Sequence, residues 1–250
     1  MTRININESI KSKAKKYAKR RDLSSGRGVI DDIIVSEVID KDTYEFLNWE
    51  ATRPPKFIVD IGAQIGSFSI LAAMRFPSTT ILSYEFNIDN YEHASKNCKN
   101  IDNIHIYNRA VIGGRKAVGA YIHPTNTGGH KPIFEGAECY ISEENFPMDK
   151  FEVDYNYKIE TINPLEIIEN NNIDFIDFLK MDCEGSEYQI IKFMNEKQLL
   201  GRIGSLAMEL HGHEKDSFVG ILKNNGFDVK TKNNMNLVYA TNQNIKQKES

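Results

Sequence analysis

The sequence of 250 residues predicts an α/β fold with a seven-stranded, mostly parallel sheet and an antiparallel last strand. Three observations carry that expectation. Short β-branched runs alternate with helix-period segments from residue 57 onward. The first run, Phe57-Ile58-Val59-Asp60-Ile61, passes through a glycine-rich turn directly into a helical pattern. The last two runs, Gly226-Phe227-Asp228-Val229 and Asn236–Ala240, sit close enough to form an antiparallel hairpin.

The elements follow in order. Residues 1–21 form a basic arm, expected as a solvated helix or frayed tail, and Ser24-Ser25-Gly26-Arg27-Gly28 reads as a linker or turn. One or two helices fit residues 30–49, and Arg53-Pro54-Pro55 stops them. After the first strand come a helix from Ser67 to Phe76, a strand from Thr79 to Tyr84, and a helix over 88–99 with Ile88, Tyr91 and Ala94 on one face. The third strand is Ile104 to Tyr107. Residues 113–160, rich in Gly, His, Pro and aromatics, interrupt the rhythm and read as an insertion of hairpins and loops, with alternation at Val118–Ile122 and Phe151–Tyr157. The rhythm resumes with helices near 164–171, 186–196 and 214–224 and strands at Phe175–Met181 and Ser205–Leu210. The domain organisation is thus an arm with N-terminal helices over 1–55, one domain over 56–242 and a polar tail over 243–250.

Composition narrows the class. With 40% hydrophobic and 26% charged residues the chain is globular. The longest apolar run, Phe68 to Met74, contains Ser69 and falls far short of the about 20 residues a membrane helix needs. No apolar secretory segment opens the sequence, and Cys98, Cys139 and Cys183 are far apart, so reduced thiols in the cytoplasm are expected. The net charge of −4 divides into +7 over residues 1–21 and −11 over the remainder.

Three groups of residues carry chemistry. Gly62-Ala63-Gln64-Ile65-Gly66 lets a ligand approach backbone N–H groups at a helix N-terminus. Gln64 stands where a dinucleotide fingerprint has its middle glycine, which argues against a pyrophosphate-containing cofactor. Glu85 ends the second strand about 20 residues on, placed to accept ribose hydroxyls. A nucleoside without pyrophosphate, beside the acid Asp60, suits S-adenosylmethionine. Finally, Lys180-Met181-Asp182-Cys183-Glu184-Gly185-Ser186-Glu187 and Glu209-Leu210-His211-Gly212-His213 crowd titratable groups at adjacent strand ends.

Together these stretches resemble the FkbM-type family of S-adenosylmethionine-dependent methyltransferases. The matching residues are Val59 to Ser69, the strand-two acid Glu85, Asn108-Arg109-Ala110-Val111-Ile112-Gly113, Leu179 to Glu187, and Glu209-Leu210-His211. The resemblance spans about residues 56–240 and implies a Rossmann-like seven-stranded methyltransferase sheet and O-methylation of small molecules or sugars. Gln64 replaces the family's usual Asn, Phe86 its Pro, and Asn163 the Asp of its Thr-Leu-Asp element.

The expected cofactor site comprises Asp60, Gly62, Ala63, Gln64, Gly66, Ser67, Phe68, Glu85, Phe86, Asn108, Ala110 and Asp182. His211 or Asp182 is the expected base, with Glu209 as a further catalytic acid residue. Glu184, Glu187, His123 and His130 are expected to face the acceptor, and Asp182, Glu184 and Glu209 would be the ligands of any Mg²⁺. Two rivals remain: a nucleic-acid methyltransferase guided by the basic arm, and a non-catalytic module that binds S-adenosylmethionine. The acidic body opposes the first, and nucleic acid is not expected as a partner.

Overall fold

The computed structural model describes residues 3–114, 116–135, 152–211, 215–232 and 236–246. The seven-stranded sheet is made of β1 (Phe57–Ile61), β2 (Thr80–Tyr84), β3 (Ile104–Tyr107), β9 (Ile176–Met181), β10 (Ile203–Glu209), β11 (Phe227–Lys232) and β12 (Leu237–Asn242). Its order is β3-β2-β1-β9-β10-β12-β11, and β12 runs antiparallel to both its neighbours. The expected terminal hairpin therefore forms, and its second strand inserts beside β10.

Alternation along each strand divides the apolar residues between two faces. Val59, Ile61, Leu179, Met181 and Leu206 share one core with residues of α6 (Glu187–Glu196) and α7 (Lys215–Asn224), such as Ile190 and Phe218. Ile58, Ile81, Phe178 and Ala207 share the other with Phe68 and Leu71 of α3 (Ser67–Arg75). The N-terminal segment completes that second face.

α1 (Arg3–Tyr17) is not a frayed tail. It packs on α3 and buries Ala14, while Ala18 just beyond it is also buried. Its charges meet acids of the body: Arg3 pairs with Glu50 at 2.8 Å, and Lys15 pairs with Asp40. Beyond the helix Arg20 pairs with Asp32 at 2.6 Å and Arg21 with Asp31 at 2.8 Å.

Three local expectations change. The segment around Ser25 is a helix start rather than a linker, because the Ser25 side chain accepts from Gly28 N–H and caps α2 (Gly26–Val35). α2 runs on through a π-helical turn, Ser36–Asp40, but 41–49 is irregular chain held by buried Tyr44, Phe46 and Leu47. In α4 (Ile88–Cys98) the buried face is Asn90, Ala94, Asn97 and Cys98, whereas Ile88 is exposed. Polar Asn90 and Asn97 are tolerated there because each amide is hydrogen-bonded.

The interruption after β3 is real. A parallel pair, β4 (Ala110–Val111) with β8 (Thr161–Ile162), closes its neck. Between them β5 (Ala117–Ile122), β6 (Lys131–Phe134) and β7 (Glu152–Asp154) form a small antiparallel sheet in the order β6-β5-β7. Phe151 and Cys139 lie outside the described residues. α5 (Pro164–Asn170) then starts on a capping box in which Asn163 and Glu166 bond each other's backbone N–H, so the residue at the Thr-Leu-Asp position serves as a helix cap.

Candidate functional site

A cleft opens over the C-terminal ends of β1, β2, β9 and β10. It is the switch point where strand order reverses, the position at which open α/β sheets bind ligands. Its floor is the turn after β1. Gly62 and Gly66 have φ of +79° and +86°, and a Cβ on Gly62 would lie 1.7 Å from the Asp182 carbonyl oxygen. Glycine at 62 thus brings the two chemistry-bearing loops into contact.

The N–H groups of this turn are engaged within the protein, contrary to the expectation that they face a ligand. Gly62 and Ala63 both donate to the Tyr84 carbonyl, and Ile65 donates to Gln64 Oε1 at 2.8 Å. Gln64 N–H donates to Glu85 Oε2 at 2.9 Å. What the cleft does offer is the Ser67 hydroxyl, buried on its wall without a hydrogen-bond partner among the described residues. An orphan of this kind is costly and suits a polar ligand atom.

Glu85 lies in the cleft wall, with Oε1 accepting from Asn87 N–H at 2.9 Å. Burial pushes its carboxyl up to about 7 against those two backbone bonds. Ala63, Gln64, Phe68, Phe86 and Ala110 also line the cleft. Asn108 acts from behind, its amide donating to the carbonyls of Glu85 and Phe86 at 2.9 Å each. Gly66 caps α3 with its own backbone.

Asp60 is the clearest correction among the predicted cofactor residues. It is fully buried, accepts from Ser69 Oγ at 2.6 Å and pairs with Lys180 Nζ at 3.2 Å. An alternating strand points Asp60 to the α3 side and into that core, away from the cleft. Lys180, which the sequence shows as a charge inside a buried strand, also donates to the Gly62 carbonyl at 2.6 Å. Burial alone would lower its pKa, but Asp60 and Asp182 raise it.

At the end of β9, Asp182 Oδ2 accepts from the Tyr44 hydroxyl at 2.7 Å. Glu184 follows with φ of +57° and points at Lys131 Nζ, 3.4 Å away. Glu187 is a second correction. It is 0% exposed, and its oxygens accept from Cys183 N–H and Gly185 N–H at 2.8 Å each, so it holds the loop and offers no surface to a substrate. Its Oε1 is also 3.0 Å from His211 Nδ1.

His211 Nε2 faces Glu184 at 3.7 Å, Asp182 at 3.9 Å and Glu209 at 4.0 Å. Burial would lower the pKa of the imidazole, but Glu187, Glu184 and Asp182 hold it well above its ordinary value. An imidazolium has no lone pair to accept a proton, so in this state His211 does not fit the base role expected of it. Glu209 lines the cleft, and burial followed by the Asp182 charge raises it to about 7. Asp182, Glu184 and His211 also each offer a ligand atom within 4.8 Å of the others.

The insertion delivers one of its two histidines. His130 lines the cleft, accepts from His123 N–H at 3.1 Å, and is lowered to about 4 by burial and by Arg27. His123 stands behind it, its Nδ1 accepting from the backbone of Thr125 and Asn126. Sequence reasoning did not single out Tyr44, Thr127 or Arg109 in the cleft wall; Arg109 and Thr127 have expected site residues close by in the chain, whereas nothing near Tyr44 marks it. Asp31, behind that wall, was missed too.

A model of the methyltransferase FkbM domain matches residues 60–229. No curated protein matches the sequence. Among solved structures, the methyltransferase FkbM from Methylobacillus flagellatus KT is 14% identical, with a TM-score of 0.43 covering 95% of this chain and 58% of its own. The precorrin-6y C5,15-methyltransferase from Geobacter metallireducens GS-15 is 16% identical, with a TM-score of 0.37 over 75% of this chain and 79% of that one. TrmK of M. capricolum, solved with S-adenosylhomocysteine, is 11% identical, with a TM-score of 0.40 over 75% and 61%. The family match takes in the glycine turn, Glu85, the Lys180–Glu187 stretch and His211, and this chain belongs to the FkbM-domain family of S-adenosylmethionine-dependent methyltransferases.

Proposed function

We propose that the protein methylates a hydroxyl group on a small molecule or sugar. S-adenosylmethionine, when bound, supplies a methyl group activated on a sulfonium. Glu85 would hold its ribose and Ser67 Oγ one of its polar ends, and Asp182 closes the far side of the cleft. The chain's own contribution to the reaction is alignment of the acceptor and removal of its proton.

The observation that carries this reading is Glu209. It stands in the cleft beside Asp182 with a carboxyl raised to about 7, near the optimum for a base working at neutral pH. The His211 imidazolium, 4.0 Å away, supports the negative charge that a departing hydroxyl proton leaves behind. Glu184 and His130 line the same cleft and fit hydrogen bonds to further hydroxyls. A labelled-methyl assay across sugars, glycolipids and polyhydroxylated metabolites tests the reading. Transfer to a hydroxyl that is lost in Glu209→Gln supports it, and transfer only to an RNA or DNA base would overturn it.

A second reading concerns the same acids. Asp182, Glu184 and His211 would together hold a divalent cation, which would lower the pKa of the acceptor hydroxyl, while Glu187 orients the imidazole from Nδ1. Such an ion would displace the imidazole proton. Chelator-sensitive transfer restored by Mg²⁺ favours it, and full turnover in chelator removes it.

The same proposal takes 56–242 as the catalytic domain, 1–55 as an arm with helices, and the cytoplasm as the place of work. No described helix is long and apolar enough to cross a membrane. The basic arm gives little support to a nucleic-acid substrate, since Arg3, Lys15, Arg20 and Arg21 are paired with acids of the same chain.

A further inference from the structure

Asp31 is 0% exposed and does not line the cleft, yet four donors converge on it. Arg21 contributes its backbone N–H at 3.0 Å and Nη1 at 2.8 Å. Gln64 Nε2 donates at 2.7 Å and Thr127 Oγ1 at 2.9 Å. These donors come from the arm, the glycine turn and the insertion, three segments far apart in the chain. Asn90 ties the group together, accepting from Arg21 Nη2 at 2.7 Å and donating to the Thr127 carbonyl at 2.7 Å.

Gln64, Asn90 and Thr127 all reach the ligand-binding wall, and Gln64 is the member that also contacts Glu85. Its φ of +50° is unusual for a residue with a side chain and persists only where neighbours enforce it. Three contacts enforce it. Its amide nitrogen is held by Asp31 and by Thr127 Oγ1 at 2.9 Å, and its amide oxygen by Ile65 N–H. The backbone N–H of the same residue then fixes Glu85 Oε2.

We propose that Asp31 is a positioning residue for the cofactor site, acting through Gln64 to set the glycine turn and Glu85. The arm thereby becomes part of that site: Arg21 supplies the charge that lets Asp31 remain buried beside the turn. Thr127 of the insertion, itself part of the cleft wall, is held by the same carboxylate. Asp182 follows β9 and Glu209 ends β10, and among the described residues neither shares a hydrogen bond or ion pair with Asp31, Gln64 or Thr127. Loss of Asp31 therefore weakens cofactor binding and spares turnover once cofactor saturates. This inference rests on S-adenosylmethionine as the methyl donor.

The test is calorimetric binding of S-adenosylhomocysteine to the full chain, for wild type, Asp31→Asn, Gln64→Ala and the double variant, with the cofactor KM and kcat measured alongside. The expected result is a rise of about tenfold in Kd and KM for Asp31→Asn with kcat within about twofold. In the double variant the Kd should match that of Gln64→Ala, because the route runs through Gln64. A folded Asp31→Asn protein with the wild-type Kd overturns the proposal, and so do fully additive effects. Should Asp31→Asn fail to fold, Thr127→Val removes one donor from the insertion side. A several-fold rise in its Kd is expected, and an unchanged Kd overturns the proposal. Wild-type protein that does not bind S-adenosylhomocysteine would remove the cofactor reading and this inference with it. Binding by wild type that every variant retains removes the inference alone.

Discussion

His211 donates from Nδ1 to Oε1 of Glu187 at 3.0 Å, and the same fully buried carboxylate holds the backbone of Cys183 and Gly185. One side chain thus fixes both the acid-rich loop after β9 and the imidazole at the end of β10. Glu187→Gln keeps the shape but sets an amide against three donors. It should lower unfolding free energy by about 1–3 kcal/mol in urea at neutral pH. It should also bring the imidazole pKa down, so that the alkaline limit of the rate moves to lower pH. An alkaline limit left where the wild type has it would mean that another group titrates there.

On the proposed function, Glu209 should set the acid limit. Its carboxyl must be ionised to accept a proton, and burial beside Asp182 raises it to about 7, so kcat/KM should climb as pH rises through that value. His211, held well above its ordinary range, should lose its proton only at higher pH, and the rate should then fall. Glu209→Gln should lower kcat by about a hundredfold or more and leave S-adenosylhomocysteine affinity unchanged. A flat profile between pH 6 and 8 would remove Glu209 from the role.

Glu85 makes cofactor affinity depend on pH in the same direction. Its folded-state carboxyl is raised from 4.5 to about 7, so the folded protein binds more protons than the unfolded chain across that window. Without ligand, its contribution to stability declines as pH rises from about 4.5 through 7. Ribose hydroxyls donate best to the anion. Affinity for S-adenosylhomocysteine should therefore weaken as pH falls below 7, by at most about tenfold per unit. Titration calorimetry at several pH values reads this directly, and Glu85→Gln should flatten the dependence.

Gly62→Ala places a methyl group 1.7 Å from the Asp182 carbonyl at a φ of +79°. The loops after β1 and β9 must then separate. A loss of about 3 kcal/mol or more in stability is expected, together with loss of cofactor binding. Thermal unfolding near the wild-type midpoint would contradict this account of the turn.

The sheet was legible because its signals are local. Phe57–Ile61 reads as a strand from five residues, and the hairpin at the chain's end from two runs and their spacing. Glu85, Asp182 and Glu209 were legible because strand ends put acids at one edge. Asp60 was misplaced because a glycine turn signals a ligand without saying which face of the strand its acid points to. Glu187 was misread because a motif lists acids without showing that one folds back on its own loop. Tyr44 and Asp31 were invisible, since each reaches the site from a segment of ordinary composition, and Tyr44 lies 138 residues from its partner Asp182.

The parallel pairing of Ala110–Val111 with Thr161–Ile162 has a consequence for how relatives of this protein can diverge. The insertion leaves and rejoins the domain through two paired strands, so its ends are fixed side by side whatever lies between them. Thr127 then anchors that roof to the floor, since its hydroxyl bridges the Gln64 amide and the Asp31 carboxylate. Neck and anchor make a two-point clasp, and a replacement segment keeps the bonds of the glycine turn only where it restores a hydroxyl at that place.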